Sequence, residues 1–266
     1  MSSEDPTTQG LEVRTYFVRG RNALLARADF GELYVDYYLH QGQHGWQHSP
    51  RHDEMLKEGL AALTLHCATR PWNESWAWTI HFTDPLLNLF MTGDNRHGKI
   101  VGQLFTDNVK DDACPLFLAE IVRERGEPRR SVVQLDPGPA DVLGAVERFY
   151  QMSEQRPARY FRHGPEDFVI LSAQPQCDLP WLESLDDAAI RILDETEQLS
   201  LLEVRRYRWE CGCTQEKMLG VLAPIMRSDP EGLFGPDPTI RMSCPRCGAR
   251  YVITREAMEA YVGAEP

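Results

Sequence analysis

The sequence predicts an α+β fold: a larger mixed-sheet body with helices, a helical linker, and a small C-terminal domain organised by paired cysteines. Three observations lead there. Between residues 11 and 172, short runs rich in Val, Ile, Tyr, Phe and Trp are broken by three helical stretches, a pattern of strands and helices around one core. Leu179–Glu203 is acidic and carries apolar residues at regular intervals, yet is too short to build a core alone. Four of the seven cysteines fall in two close pairs near the C-terminus. A hydrophobic content of 42% with six tryptophans supports a folded core.

Taken in order, residues 1–10 are polar and acidic and read as a disordered tail. Leu11–Val18 and Leu33–Leu39 have strand composition. Histidines 40, 44, 48 and 52 are spaced by four, which on a helix would align them for a metal. Gly42, Gly45 and Pro50 argue against that helix, so the segment reads as a solvated loop. Asp53–Thr69 repeats Met55, Leu56, Gly59, Leu60, Leu63 and Cys67 at helical spacing and stops before Pro71. Trp76–Phe82 alternates as a strand. Leu86–Met91 and Lys99–Thr106 form a hairpin across TGDNRHG. Trp72, Trp76 and Trp78 read as core in preference to an exposed binding surface. Pro115–Arg125 reads as a short helix and Ser131–Leu135 as a strand. Asp141 caps a helix reaching about Gln155, with Val142, Val146, Phe149 and Tyr150 as its apolar stripe. Ala158–Arg162 and Asp167–Ser172 complete the body, residues 1–180.

The linker, residues 181–204, lies within a stretch holding seven acids and one arginine. Leu182, Leu185, Ile190, Leu193, Leu199 and Leu202 give it short amphipathic helices that need a partner surface.

The C-terminal domain, residues 205–266, reads as strand (Arg205–Trp209), cysteine knuckle, helix (Thr214–Leu222), a Pro/Gly loop, strand (Thr239–Ser243), second knuckle and strand (Arg250–Ile253). Thr254 caps a last helix. Its knuckles are Cys211-x-Cys213 and Cys244-x-x-Cys247, with thirty residues between them. Paired thiolates across a loop suit tetrahedral Zn²⁺ in a closed site, one ion per chain. Two disulfides or four buried thiols are the alternatives. Glycines 212 and 248 beside the pairs and strand-like residues before them favour the metal. No histidine lies beyond His163, so no local histidine ligand is available. So small a domain buries little core, and metal binding would supply much of its folding free energy. Oxidising the thiols would then unfold it. With the metal gone, neighbouring thiols in each pair could oxidise to each other, although the small CxC ring would be strained.

The net charge of −12 argues against a nucleic-acid-binding surface over the whole chain. Residues 205–256 carry nine Lys/Arg against six Asp/Glu, a balance of +3 that leaves −15 for the rest. No apolar run reaches membrane-span length, and the start is no secretory signal. Free thiols without an export signal point to the reducing cytoplasm. No GxSxG, HExxH, Walker A or GxGxxG motif is present, so the sequence carries no sign of an enzyme. Cys67, Cys114 and Cys177 read as inert thiols.

YRW before the first knuckle, the CxC…CxxC arrangement and the CGARYVIT tail together resemble the zinc domain of the redox-regulated 33-kDa heat-shock chaperones, the heat shock protein 33 family. FYQMSEQRPARYF (Phe149–Phe161) is similar to that family's helix ending in Ser-Glu-Gln. HSPRHDEMLKEGLAALTL followed by GKIVGQLF is a weaker match in the right order. The resemblance implies a holdase chaperone, inactive while Zn²⁺ sits on Cys211, Cys213, Cys244 and Cys247. Oxidation to Cys211–Cys213 and Cys244–Cys247 disulfides would release zinc and unfold the metastable linker. Unfolding client proteins would then bind without ATP, to a protein that is a homodimer when oxidised. The competing reading is a nucleic-acid-binding protein with a structural zinc module, based on the RRYR run with Arg246, Arg250 and Arg255.

Overall fold

A computed structural model describes residues 10–111 and 114–264; the expected disordered tail lies, but for Gly10, outside the described residues. One ten-stranded sheet organises the body. Its strands are β1 (Leu11–Val18), β2 (Ala23–Asp29), β3 (Glu74–Thr83), β4 (Leu86–Asp94), β5 (Lys99–Phe105), β6 (Leu116–Arg123), β7 (Arg129–Gln134), β8 (Ala158–Arg162), β9 (Asp167–Ala173) and β10 (Leu199–Trp209). They lie in the order β7-β6-β3-β4-β5-β10-β1-β2-β9-β8. All neighbours are antiparallel except β5 and β10, which run parallel and pair only at Lys99–Arg208 and Ile100–Trp209. The sheet is therefore two five-stranded halves joined at a narrow bridge.

Helices α1 (Gly31–His44), α2 (Pro50–Ala68) and α3 (Val142–Met152) pack on one face. Helix α2 starts where Ser49 accepts from the His52 amide and proline occupies the first turn. Leu56, Leu60, Leu63 and Cys67 are fully buried, as their spacing requires. Asp141 caps α3 through the Gly144 amide, and Val142, Val146, Phe149 and Tyr150 are buried. Trp76 and Trp78 are core, whereas Trp72 is 51% exposed, with Arg205 stacked on its ring.

Several segments differ from their sequence reading. Leu33–Leu39 lies in helix α1, not a strand. Its aromatic residues have strand propensity, but Leu33, Tyr34 and Tyr37 are buried at helical spacing, and the Tyr37 hydroxyl donates to Asp53. Packing against α2 overrides local preference. Pro115–Arg125 is strand β6, not a helix. Phe117 and Ala119 face the core while Leu118 and Val122 face out, a period of two that apolar residues on both faces concealed. β6 is also paired on both sides, with β3 and β7. Strand β2 carried no recognisable signal.

The acidic stretch forms α4 (Leu179–Ser184), α5 (Asp187–Arg191) and α6 (Leu193–Thr196). They lie on the opposite face of the β10-β1-β2-β9-β8 half. Leu182, Leu185, Ile190 and Leu193 are buried there against Leu25, Phe161, Val169 and Leu171. The chain then enters β10, which pairs with β1 from Leu199–Val18 to Tyr207–Leu11. Arg205–Trp209 is thus the end of a body strand rather than a separate strand of the C-terminal domain. Leu202 sits at a register shift in that pairing and is exposed.

Helices α7 (Gln215–Ser228), α8 (Pro230–Phe234) and α9 (Arg255–Ala264) with hairpin β11 (Thr239–Ser243)–β12 (Arg250–Thr254) complete the chain. Thr214 caps α7, and the Thr254 hydroxyl accepts from the Ala257 amide at the start of α9. Their core is small: Met218, Leu222, Met226, Phe234, Ile253 and Met258.

Candidate metal centre

Strand β10 ends at Trp209 and delivers Cys211 and Cys213; hairpin β11–β12 carries Cys244 and Cys247 in the turn between its strands. In that turn the Cys244 amide donates to the Ala249 carbonyl and the Gly248 amide to the Cys244 carbonyl. Gly248 has a φ of +71°, and a Cβ there would stand 2.9 Å from the Trp46 ring. Glycine therefore permits both the turn and the close approach to the body.

All four sulfurs lie within 4.8 Å of one another. Cys211 and Cys244 approach to 3.7 Å, Cys213 and Cys247 to 3.5 Å. A tetrahedral metal with Zn–S bonds of ~2.3 Å has sulfur–sulfur edges of roughly 3.8 Å. The donor set therefore fits a metal ion of zinc's size and softness. Cys244 and Cys247 are buried, while Cys211 and Cys213 are half-exposed. The Tyr251 hydroxyl donates to the Cys213 sulfur across 3.1 Å.

The crowding has an electrostatic consequence. Hydrogen bonds from the Cys211 and Cys247 thiols hold Cys244 far below the ordinary thiol range. Those thiols are raised in return: Cys211, mainly by its bond to Cys244, to about 12, and Cys247, mainly by Cys211, further still. Packed together, the sulfurs resist carrying four negative charges. A bound divalent cation removes that penalty and makes four thiolates compatible.

The knuckle is docked on the body. His40 Nε2 donates to the Cys247 carbonyl at 2.9 Å, and the Arg250 amide donates to His44 Nδ1 at 3.1 Å. The Arg250 guanidinium donates to the Gly45 carbonyl, and Arg246 to the Thr92 hydroxyl. Val101 on β5 packs in one apolar cluster with Cys244, Cys247 and Ala249. His40 and His44 are thus neither a solvated loop nor metal ligands. They lie on helix α1, which runs through Gly42, and they seat the knuckle. Their i,i+4 spacing was the available signal; its target was invisible in the sequence.

Several basic residues of this region are engaged internally. Arg206 pairs with Glu12, Arg208 with Glu210 and Arg255 with Glu231. Cys67 is fully buried and its thiol is pushed up by burial, as is that of half-buried Cys177. Cys114 is half-exposed. Among the described residues no helix is long and apolar enough to cross a membrane.

The profile of the Hsp33 protein family matches residues 172–254. The 33 kDa chaperonin of Aliivibrio salmonicida is 24% identical over 231 residues, which cover 74% of this chain and 78% of that protein. That of Edwardsiella ictaluri is 25% identical over 247 residues, covering 80% and 83%. The crystal structure of the 33 kDa chaperonin (heat shock protein 33 homolog) from Thermotoga maritima matches with a TM-score of 0.71 at 12% identity. It covers 96% of this chain and 98% of its own.

Proposed function

We propose, from its similarity to the Hsp33 family in sequence and fold, that the chain is a divergent member of that family and a redox-regulated holdase chaperone. The observation that carries this reading is the four-cysteine cluster at the end of β10, whose other end is the linker packed on the body. One strand thus joins the thiol site to the segment that covers an apolar sheet face.

In the reduced state Cys211, Cys213, Cys244 and Cys247 hold one Zn²⁺. The bound ion keeps the four thiolates together and supplies folding free energy to α7–α9 and the hairpin, whose own core is small. Oxidation removes donors as Cys211–Cys213 and Cys244–Cys247 disulfides form. The site loses its ion, the module of residues 205–266 loosens, and the linker, residues 181–204, loses support. Its apolar side chains and the sheet face beneath then become available to unfolding client proteins. Oxidised chains pair as homodimers, and a site of four free thiols suits a reducing compartment such as the cytoplasm.

The test is ATP-free suppression of aggregation of a heat-unfolded client. The peroxide-treated protein suppresses aggregation and the reduced, zinc-loaded protein does not. Full activity in the reduced protein with the linker still protected from hydrogen exchange would instead describe a constitutive binder.

A further inference from the structure

The linker is held to the body by charge as well as by apolar contact. Arg21, in the β1–β2 turn, places Nη1 2.7 Å from Asp178 and Nε 3.0 Å from Glu197. Arg27 on β2 grips Asp194 with two parallel bonds of 2.9 and 2.7 Å. Arg159 on β8 donates to the Glu183 carbonyl at the end of α4. Three guanidiniums from three places on the body therefore border one apolar face, formed by Leu25, Phe161, Val169 and Leu171. The acidic composition of the linker is the complement of that border.

The fit is incomplete. A cavity of about 490 Å³ remains between α5–α6 and the sheet, lined in part by Arg27, His163 and Arg191, with Asp167 as its one carboxylate. Both ring nitrogens of His163 lack a partner. The linker thus leaves part of this face, with its charged border, unfilled.

We propose that the arginine border of the sheet face beneath α4–α6 makes that face select apolar client segments with acidic residues beside them. Such segments share the chemistry of the linker they replace. The proposal rests on the reading that oxidation frees the linker, and it adds a preference that this reading does not contain.

The experiment uses the oxidised, zinc-released full chain and two fluorescent synthetic peptides. One has the sequence of residues 178–198; the other has each Asp and Glu replaced by Asn and Gln. Anisotropy at low salt is expected to show the acidic peptide binding roughly tenfold tighter, from two or three partly exposed ion pairs, and the advantage shrinking at high salt. The double variant Arg21→Gln/Arg27→Gln is expected to bind both peptides with the affinity of the neutral one. Equal affinities for the wild type, or an acidic preference insensitive to salt and to the double variant, would overturn the charge selection and leave linker release intact. Binding of neither peptide to a zinc-free chain would overturn both.

Discussion

His40 and Cys247 are joined across 207 positions of sequence by one hydrogen bond, from the imidazole Nε2 to the backbone carbonyl, 2.9 Å long. Burial lowers the affinity of His40 for a proton and so keeps the ring in its neutral, single-donor form. The bond ties the second knuckle to helix α1. His40→Ala is expected to cost the knuckle about 1 kcal/mol of docking, a several-fold rise in amide exchange over residues 244–250. Zinc stoichiometry is expected to stay at one. Unchanged exchange in the variant would show that the remaining contacts, through His44, Gly45, Thr92, Val101 and Trp46, hold the knuckle without His40.

Each of Cys211, Cys213, Cys244 and Cys247 is expected to be needed for tight zinc binding. Serine at any one position leaves three sulfur donors and an open coordination site. Metal content after dialysis is expected to fall well below one per chain, with α7–α9 losing protection. Four single variants that all retained full zinc would remove the assignment.

Chelation should divide the molecule. The C-terminal core is a handful of side chains, whereas Trp78, Phe117, Phe149 and Tyr150 anchor an independent core in the body. Metal removal by a strong chelator is expected to abolish hydrogen-exchange protection in α7–α9 while the sheet stays protected. Simultaneous loss of both would mean that the body depends on the knuckle as well.

Much of this architecture was legible beforehand. Helices α2 and α3 announce themselves through Leu56, Leu60 and Leu63 and through Asp141 before Val142–Tyr150, because helical spacing and capping are local. The four cysteines did so by spacing alone, since a tetrahedral site needs close pairs. What escaped is non-local. The pairing of β1 with β10 joins residues nearly two hundred apart, and nothing in RRYRW distinguishes a body strand from a domain strand. Helix α1 was hidden because Tyr34 and Tyr37 have strand propensity and take their helical conformation against α2. The histidines stood out by period, but their use depends on which surface the knuckle meets.

The Arg27–Asp194 pair is bidentate but partly exposed, so its strength is modest. A double-mutant cycle with Arg27→Gln and Asp194→Asn is expected to give a coupling of about 0.5–1 kcal/mol at low salt and less at high salt. Linker hydrogen exchange in the reduced protein is the readout. A coupling of zero would show that apolar burial of Ile190 and Leu193, with the Arg21 pairs, holds α5 and α6 without this ion pair.

The other cysteines are expected to stand outside the switch. Cys67 is fully buried on the core face of α2, so a thiol reagent should label it only on global unfolding. A Cys67→Ala/Cys114→Ala/Cys177→Ala variant is expected to respond to peroxide as the parent does. A folded variant that no longer responded would bring one of the three into the mechanism.

The order of oxidation follows from ring size and burial together. A CxxC pair closes a less strained disulfide than a CxC pair, which favours Cys244–Cys247 as the first bond. Both of these sulfurs are buried under the docked knuckle, whereas Cys211 and Cys213 are half-exposed. Peroxide therefore reaches the favoured pair only when the knuckle lifts from Trp46, His40 and Val101. Two thiolates, one peroxide and two protons then give one disulfide and two waters, leaving only Cys211 and Cys213 as donors, too few for a closed site. Activation should accordingly be slow in peroxide alone and fast when mild heat also opens the knuckle. His40→Ala should react faster than the parent at the same temperature. Mass spectrometry of quenched time points is expected to find Cys244–Cys247 before Cys211–Cys213, with zinc release following the first bond and linker exchange following zinc release. Appearance of Cys211–Cys213 first, at a rate unaffected by His40→Ala, would show that exposure outweighs ring strain and that knuckle docking does not gate the switch.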